Sequence, residues 1–189
     1  MKIHMSAICG MGMGSLAQLL KASGHEVGGS DASCYPPMST LLKQVGIEIK
    51  NGFASEHIAA DTDLVIIGNA VRRDNPEVAE TMRRELKYLS FPQALEELYL
   101  KERTSIVVAG THGKTTTCSL IAWMLHHAGL SPGFLIGGVL RNFDASSLPG
   151  NGKQFVVEGD EYHTAFFDRA PKFLHYRPHV GILTSVDFD

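Results

Sequence analysis

Cysteine is scarce in this sequence of 189 residues, where Cys9, Cys34 and Cys118 are the only three. No pair is spaced as C-x-x-C, and an odd, irregular set argues against a disulfide framework and for reduced thiols in a cytoplasmic protein. The nine histidines include no H-E-x-x-H pair. His126 and His127 are adjacent, so on a helix they point to different faces and chelate poorly together, which leaves no zinc-type ligand spacing. Long apolar runs are also lacking. None reaches the roughly 18–20 residues needed to cross a bilayer. Lys2 alone precedes a short apolar stretch that His4 interrupts, which does not fit a signal peptide. There is no excess of positive charge either. A formal net charge of −3 supplies no basic field for nucleic acid and no polybasic membrane patch. Neither internal repeats nor low-complexity segments are found.

What is present is alternation. Gly and Pro punctuate strand-like and helix-like stretches, which predicts an α/β fold with a largely parallel sheet. Ile3–Cys9 reads as a strand, Ser15–Ser23 as a helix ended by Gly24, and Glu26–Gly29 as a second strand. After Pro36-Pro37, Ser39 is placed to cap a helix over 40–45. Ile47–Lys50 and Leu64–Gly68 read as strands. Asn75-Pro76 opens another helix, with Pro at a permitted first-turn position. A possible short strand at Tyr88–Ser90 and a helix over 93–100 follow. At Ile106 the pattern restarts: strand Ile106–Ala109, glycine-bounded loop, long helix Lys114–Ala128, then strand candidates at 134–136, 155–158 and 181–184. The domain boundary is expected near Glu102–Thr104. No closing helix follows the last strand, so the second domain reads as cut off in mid-fold.

Gly110-Thr111-His112-Gly113-Lys114-Thr115-Thr116 lies between a β-branched strand and a long helix, the context of a phosphate-binding loop. Glycines let backbone N–H groups turn toward an anion, and a helix N-terminus adds about half a positive charge. Lys114 supplies a full charge for the terminal phosphates, and the Thr115 hydroxyl suits Mg²⁺. The G-x-x-x-x-G-K-[ST] spacing is not met, because its first Gly would fall at Val108. His112 fits either a phosphate contact or loop packing. Phe155-Val156-Val157 runs straight into Glu158, a carboxylate at a strand end where a nucleotide site anchors Mg²⁺. Asp160 and Glu161 either orient substrate or are simply solvated.

The first glycine run, Gly10-Met11-Gly12-Met13-Gly14, follows strand one, and Asp31 ends strand two about 20 residues later, as in a dinucleotide fingerprint. Ser15 breaks the strict G-x-G-x-x-G. A UDP-sugar carries the same diphosphate and ribose, so both an NAD(P)-binding oxidoreductase and a UDP-sugar enzyme remain open on these residues.

Taken in this order, the two modules resemble the Mur ligases across essentially the whole chain. Gly110–Thr116 is similar to the family's ATP loop. Glu158-Gly-Asp-Glu161 resembles its E-A-D-E segment, with Gly159 in place of Ala. Gly10–Gly14 and Ser30-Asp31 resemble its UDP-binding end. The His112 loop matches the branch acting directly on UDP-N-acetylmuramate, which contains one enzyme adding L-alanine and a recycling enzyme adding L-alanyl-γ-D-glutamyl-meso-diaminopimelate. Tyr35-Pro-Pro-Met-Ser-Thr-Leu41, Gly68-Asn69-Ala70 with Asn75-Pro76, and Ala165-Phe-Phe-Asp-Arg169 look more like the recycling enzyme. His163 departs from the family's usual acid.

The resemblance implies a Rossmann-like UDP-sugar-binding domain over 1–103 and the first part of a P-loop ATPase-type domain over 104–189, with the C-terminal domain absent. It implies ATP and Mg²⁺ as cofactors, Lys114 and Glu158 as catalytic groups, and Thr115 and Glu158 as metal ligands. It adds Asn69 to the UDP-sugar site and Asp160, Glu161 and Tyr162 as substrate contacts. It also implies that this stretch alone is inactive as a ligase. The implied partners are UDP-N-acetylmuramate and a murein tripeptide.

Overall fold

The computed structural model describes residues 1–161 and 163–187. The chain divides into two compact units: Met1–Phe91 together with Thr164–Arg169, and Pro92–His163 together with Ala170–Asp189. The sequence places the boundary some ten residues later, near 102–104.

In the first unit, β1 (Lys2–Ser6), α1 (Met11–Ala22), β2 (Glu26–Asp31), α2 (Met38–Gln44), β3 (Glu48–Asn51), a 3₁₀ turn (Ser55–His57), β4 (Leu64–Ile67), α3 (Pro76–Arg83) and β5 (Tyr88–Ser90) follow in order. The strands form one parallel sheet in the order β3-β2-β1-β4-β5. This is a doubly wound order, which reverses between β1 and β4. Such a sheet opens a crevice beyond the carboxyl ends of the strands at that switch.

Side chains alternate across β1. Ile3 and Met5 are buried on one face and His4 and Ser6 on the other. Leu16, Leu19 and Leu20 form the buried i, i+3, i+4 stripe of α1. That helix starts at Met11, inside the glycine run, so Met11–Gly14 form its first turn rather than a loop. A Cβ on Gly14 would run into the Met38 side chain, which would have to move aside. The helix α2 starts at Met38 with Pro37 before it and no side-chain cap. The expected Ser39 cap is therefore corrected: the helix begins two residues earlier, at Met38, and places Ser39 inside its first turn. By contrast Asn75 does cap α3, its side chain accepting from the Glu77 N–H at 2.8 Å with Pro76 next to it.

The expected reduced state of all three thiols is also corrected. Cys9 and Cys34 form a disulfide with Cα atoms 5.5 Å apart, and only Cys118 is free. Spacing along the chain could not show this pairing. The right-handed β1-α1-β2 crossover returns β2 beside β1, so the loops leaving the two strands meet.

In the second unit, α4 (Phe91–Leu95) starts at the unit boundary and continues as a π-type turn over Glu96–Leu100. Then come β6 (Thr104–Ala109), α5 (Lys114–His127), β7 (Gly133–Leu140), β8 (Ala145–Leu148) and β9 (Gln154–Glu158), and, after the pair β10 (His163–Ala165) and β11 (Asp168–Pro171) whose Thr164–Arg169 stretch belongs to the first unit, α6 (Lys172–His175) and β12 (Val180–Leu183). The main sheet runs β12-β6-β9-β7-β8, with only the β7–β8 pair antiparallel. Its core joins Val108, Cys118, Ala122, Phe134, Ile136 and Val156. The β7–β8 hairpin and the β10–β11 pair were not foreseen. Phe134–Ile136, expected as a strand, lies in β7, but the return strand Ala145–Leu148 has neither clean alternation nor a continuous apolar run, so nothing local marks the hairpin. Phe166 and Phe167, at the tip between β10 and β11, pack on the first unit's cluster of Ala7, Ile58, Val65, Ile67, Val71 and Val78. Phe167 also meets Tyr88 edge-on with centroids 5.1 Å apart.

A disulfide stabilises chiefly by restricting the unfolded chain, so Cys34→Ser should lower the unfolding free energy by about 3 kcal/mol under oxidising conditions. With reductant present the variant and the parent chain should unfold alike. Denaturant titration with and without reductant checks both halves of this expectation.

Candidate nucleotide and UDP-sugar sites

Each unit carries one glycine turn at the carboxyl end of a central strand. In the first, a cavity of about 390 Å³ lies over the β1–α1 turn and is lined by Cys9, Gly10, Met11, Asp31, Tyr35 and Asn69, among others. Met13 also borders it, whereas Gly12 faces the Phe91 ring. Asp31 sits at the end of β2, where its carboxylate accepts the Cys9 N–H at 2.8 Å and the Ser33 N–H at 3.1 Å. Asp31 thus ties together the two loops that border the cavity. Asn69 comes from the turn after β4, across the switch point. The predicted residues Gly10, Met11, Met13, Asp31 and Asn69 are therefore brought together, and Gly12 and Gly14 serve helix packing instead.

In the second unit, β6 leads into Gly110–Gly113 and then α5. Gly110 and Gly113 both have positive φ, +131° and +82°, conformations that an L side chain adopts only with strain. A Cβ on Gly110 would overlap Thr184 Oγ1 and the Ser185 backbone. The segment after β12 is thus packed directly on the loop. The Thr184 hydroxyl donates to the His112 carbonyl, Ser185 Oγ accepts the His112 N–H at 3.0 Å, and the Ser185 carbonyl accepts the Thr111 N–H at 3.0 Å. Sequence reasoning overlooked Thr184 and Ser185 as loop supports. A small hydroxyl pair just past a strand was the available signal, but nothing local ties it to a loop more than 70 residues earlier.

Lys114 folds back over the loop, donating from Nζ to the Gly110 carbonyl at 2.7 Å, with Glu161 Oε2 at 3.6 Å. A helix start leaves its first N–H groups without intrahelical acceptors, and Lys114, Thr115 and Thr116 form that first turn. Strand pairing sets Glu158 beside Val108, two residues before Gly110. Its Oε1 accepts the Gly137 N–H at 2.8 Å. Thr115 lies near the same stretch, 3.5 Å from a Cβ built on Gly138. Asp160 pairs with the buried Lys172 at 2.9 Å, so it is a held carboxylate rather than a merely solvated one. Glu161 is exposed. Tyr162 lies outside the described residues. Gly159 also has a steric reason, since a Cβ there would lie 2.7 Å from Val107 Cγ1 and 3.1 Å from Phe173 Cβ.

Burial pushes the Cys118 thiol far up, and the carboxylates of Glu158 and Asp160 add to the effect, so this cysteine is an inert core residue. Among the described residues no cluster of three or more His, Cys, Asp or Glu side chains could hold a metal by protein ligands alone. Thr115 in the first turn of α5 and Glu158 at the end of β9 are oxygen donors near the loop, and a hard cation such as Mg²⁺ needs few protein ligands because water and phosphate complete its shell.

The family described as "Mur ligase family, catalytic domain" matches residues 2–103. The chain belongs to the Mur ligase family. It is 49% identical over 189 residues to the UDP-N-acetylmuramate–L-alanyl-γ-D-glutamyl-meso-2,6-diaminoheptandioate ligase of Escherichia coli, covering 100% of this chain and 41% of the relative. It is 37% identical over 186 residues to a UDP-N-acetylmuramate–L-alanine ligase of Anaeromyxobacter, covering 98% of this chain and 38% of the relative. The crystal structure of a murein peptide ligase from Psychrobacter arcticus superposes with a TM-score of 0.92 at 46% identity, over 100% of this chain and 44% of that one. This Mur ligase chain thus spans well under half the length of these relatives. The likeness confirms the α/β fold of both units, with a parallel five-stranded sheet in the first and a mixed one in the second.

Gly110→Ala should strain the second loop by about 1–3 kcal/mol and displace Thr184. A lower melting temperature together with weaker binding of a nucleoside triphosphate is the expected result. Unchanged binding would show that the loop tolerates a side chain against Thr184.

Proposed function

We propose that the chain supplies the UDP-sugar-binding and ATP-binding parts of an ATP-dependent amide ligase. That enzyme joins L-alanyl-γ-D-glutamyl-meso-diaminopimelate to UDP-N-acetylmuramate in cell-wall recycling. One observation carries the reading: Gly110–Thr116 turns between β6 and α5 with Lys114 over it, and Glu158 lies on the adjoining strand. A UDP-sugar domain over 1–103 and an ATP domain beginning at 104 belong to the same proposal. The cytoplasm, where ATP and nucleotide sugars are made, is the proposed location. In that compartment the Cys9–Cys34 bridge would exchange with thiols.

In this reading the first-turn N–H groups of α5 and the loop amides cradle the phosphates, with Gly110, Thr111, His112, Gly113 and Thr116 shaping the turn. Lys114 swings from the Gly110 carbonyl onto the terminal phosphate, a short movement for a side chain already at the loop. Thr115 and Glu158 would hold Mg²⁺, which supplies charge neutralisation at the transferred phosphoryl oxygens. The carboxylate of the muramyl sugar attacks the γ-phosphorus of ATP and ADP leaves, giving an acyl phosphate, and the peptide amine then displaces inorganic phosphate and loses a proton to give the amide. Asp160, fixed by Lys172, and Glu161 border that exchange, and Tyr162 is assigned there with them. Gly10, Met11, Met13, Asp31 and Asn69 receive the UDP end.

The tripeptide is favoured over L-alanine as the added group by the higher identity to the E. coli ligase named for it, 49% against 37% for the alanine ligase. An NAD(P) oxidoreductase remains the competing reading of the first glycine turn alone, and it leaves the second turn unexplained.

Calorimetric titration of the chain with UDP-N-acetylmuramate, ATP with Mg²⁺, and NADH tests the assignment. Binding of the first two and not the third is expected. Lys114→Ala should weaken ATP binding at least tenfold while leaving UDP-sugar binding unchanged, since one charge-assisted contact is worth about 1.5–3 kcal/mol. Binding of NADH with no binding of the UDP-sugar would sink the ligase reading.

A further inference from the structure

Glu77 is completely buried in the first turn of α3. Four side chains converge on its carboxylate. Oε2 accepts from Ser6 Oγ at 2.5 Å and Ser30 Oγ at 2.7 Å, with His4 Nε2 at 3.1 Å, and Oε1 lies 3.2 Å from His57 Nδ1. These residues come from β1, β2 and the 3₁₀ turn. A lone buried carboxylate would be expensive, and partners at this density offset the cost. A well-packed apolar side chain could fill the same space at no such cost. What the carboxylate adds is direction, because it fixes where two hydroxyls point and hence where two strand ends lie.

Those ends are the ones that bear the site. Ser6 and Ser30 are register partners on β1 and β2. The Ser30 carbonyl accepts the Ala7 N–H at 2.9 Å and the Ile8 N–H at 3.1 Å, which starts the turn toward Gly10. The Ser6 carbonyl accepts the Gly68 N–H at 3.0 Å, just before Asn69. Asp31, next to Ser30, holds the Cys9 N–H. Every loop bordering the first cavity thus leaves a residue that Glu77 orders directly or through one hydrogen bond, yet Glu77 does not line that cavity.

We propose that Glu77 is a positioning residue of the UDP-sugar site, acting through Ser6 and Ser30 to set the loop Ala7–Gly10 against the diphosphate. The role rests on the UDP-sugar reading of that cavity. It predicts selectivity. A displaced loop loses its hold on the diphosphate but not on the uracil and ribose.

The test uses the 189-residue chain and the variants Glu77→Gln, Ser30→Ala and the double variant, well below their melting temperatures. UDP-N-acetylmuramate is titrated by calorimetry and uridine by perturbation of amide resonances. Glu77→Gln keeps the shape and replaces one acceptor by a donor. Its affinity for the UDP-sugar should fall about tenfold, as for loss of a hydrogen bond to a charged group, with uridine binding unchanged. The double variant should be no weaker than the weaker single, since both changes break one network. Equal affinity of Glu77→Gln and the parent chain would overturn the role. So would a parallel loss for uridine, which marks general loosening. Should Glu77→Gln not fold, Ser6→Ala and Ser30→Ala carry the same comparison: selective loss of the UDP-sugar supports the role, and equal affinity or a parallel loss overturns it. If the parent chain itself fails to take UDP-N-acetylmuramate, the functional reading falls first, and the positioning role with it.

Discussion

A parallel strand that feeds a helix leaves unpaired N–H groups at one end of the sheet, and both candidate sites of this chain are built on that constraint. The N–H groups of the helix start have no intrahelical acceptor, and their dipoles add a partial positive charge there. An anion is favoured at such an end, because the backbone there is deficient in acceptors. In the first unit the constraint acts at Gly10 and α1, in the second at Gly110–Gly113 and α5. The remaining architecture keeps these turns in place and brings acids and hydroxyls to them.

The two units solve that task differently. In the second, support comes from a sequence-distant strand end, with Thr184 and Ser185 bonded to the backbone of Thr111 and His112. Adjacent strand pairing then brings Glu158 alongside. In the first, support comes from inside, where Glu77 gathers Ser6 and Ser30 beneath the loops. Burial pushes the Glu77 carboxyl upward, but the hydrogen bonds from His4, Ser30 and Ser6 together outweigh it and hold the group below the usual carboxylate range. A carboxyl depressed on folding contributes stability above its unfolded value and loses it as pH falls through the folded one. This support is therefore complete at neutral pH and fails only in acid.

Much of the fold was legible locally. The strand at 64–67 and residues 106–109 of β6 are short apolar runs, and the helix from Lys114 opens after a glycine and closes before Gly129. The Asn75-Pro76 start was legible because its cap is written in neighbouring residues. The start of α1 was misjudged because glycine is a poor helix former, while the close approach of Met38, an interaction across 24 positions, favours glycine there. The pairing of Cys9 with Cys34 escaped the count of cysteines for the same reason. Phe166 and Phe167 could be matched to a family pattern, yet their packing on the first unit's apolar cluster was invisible in the sequence.

The sequence by itself determined the α/β class, the two glycine turns and the identity of the chemical groups available at them, since strand–turn–helix signals are set by residues within one turn of each other. Tertiary structure alone decided which distant groups support those turns: Thr184 and Ser185 beneath the second, and Glu77 under β1 and β2 beside the first. The physical reason is that a local signal reflects backbone preference over a few residues, whereas a support is defined by side chains that meet only after the crossovers have stacked strand against strand.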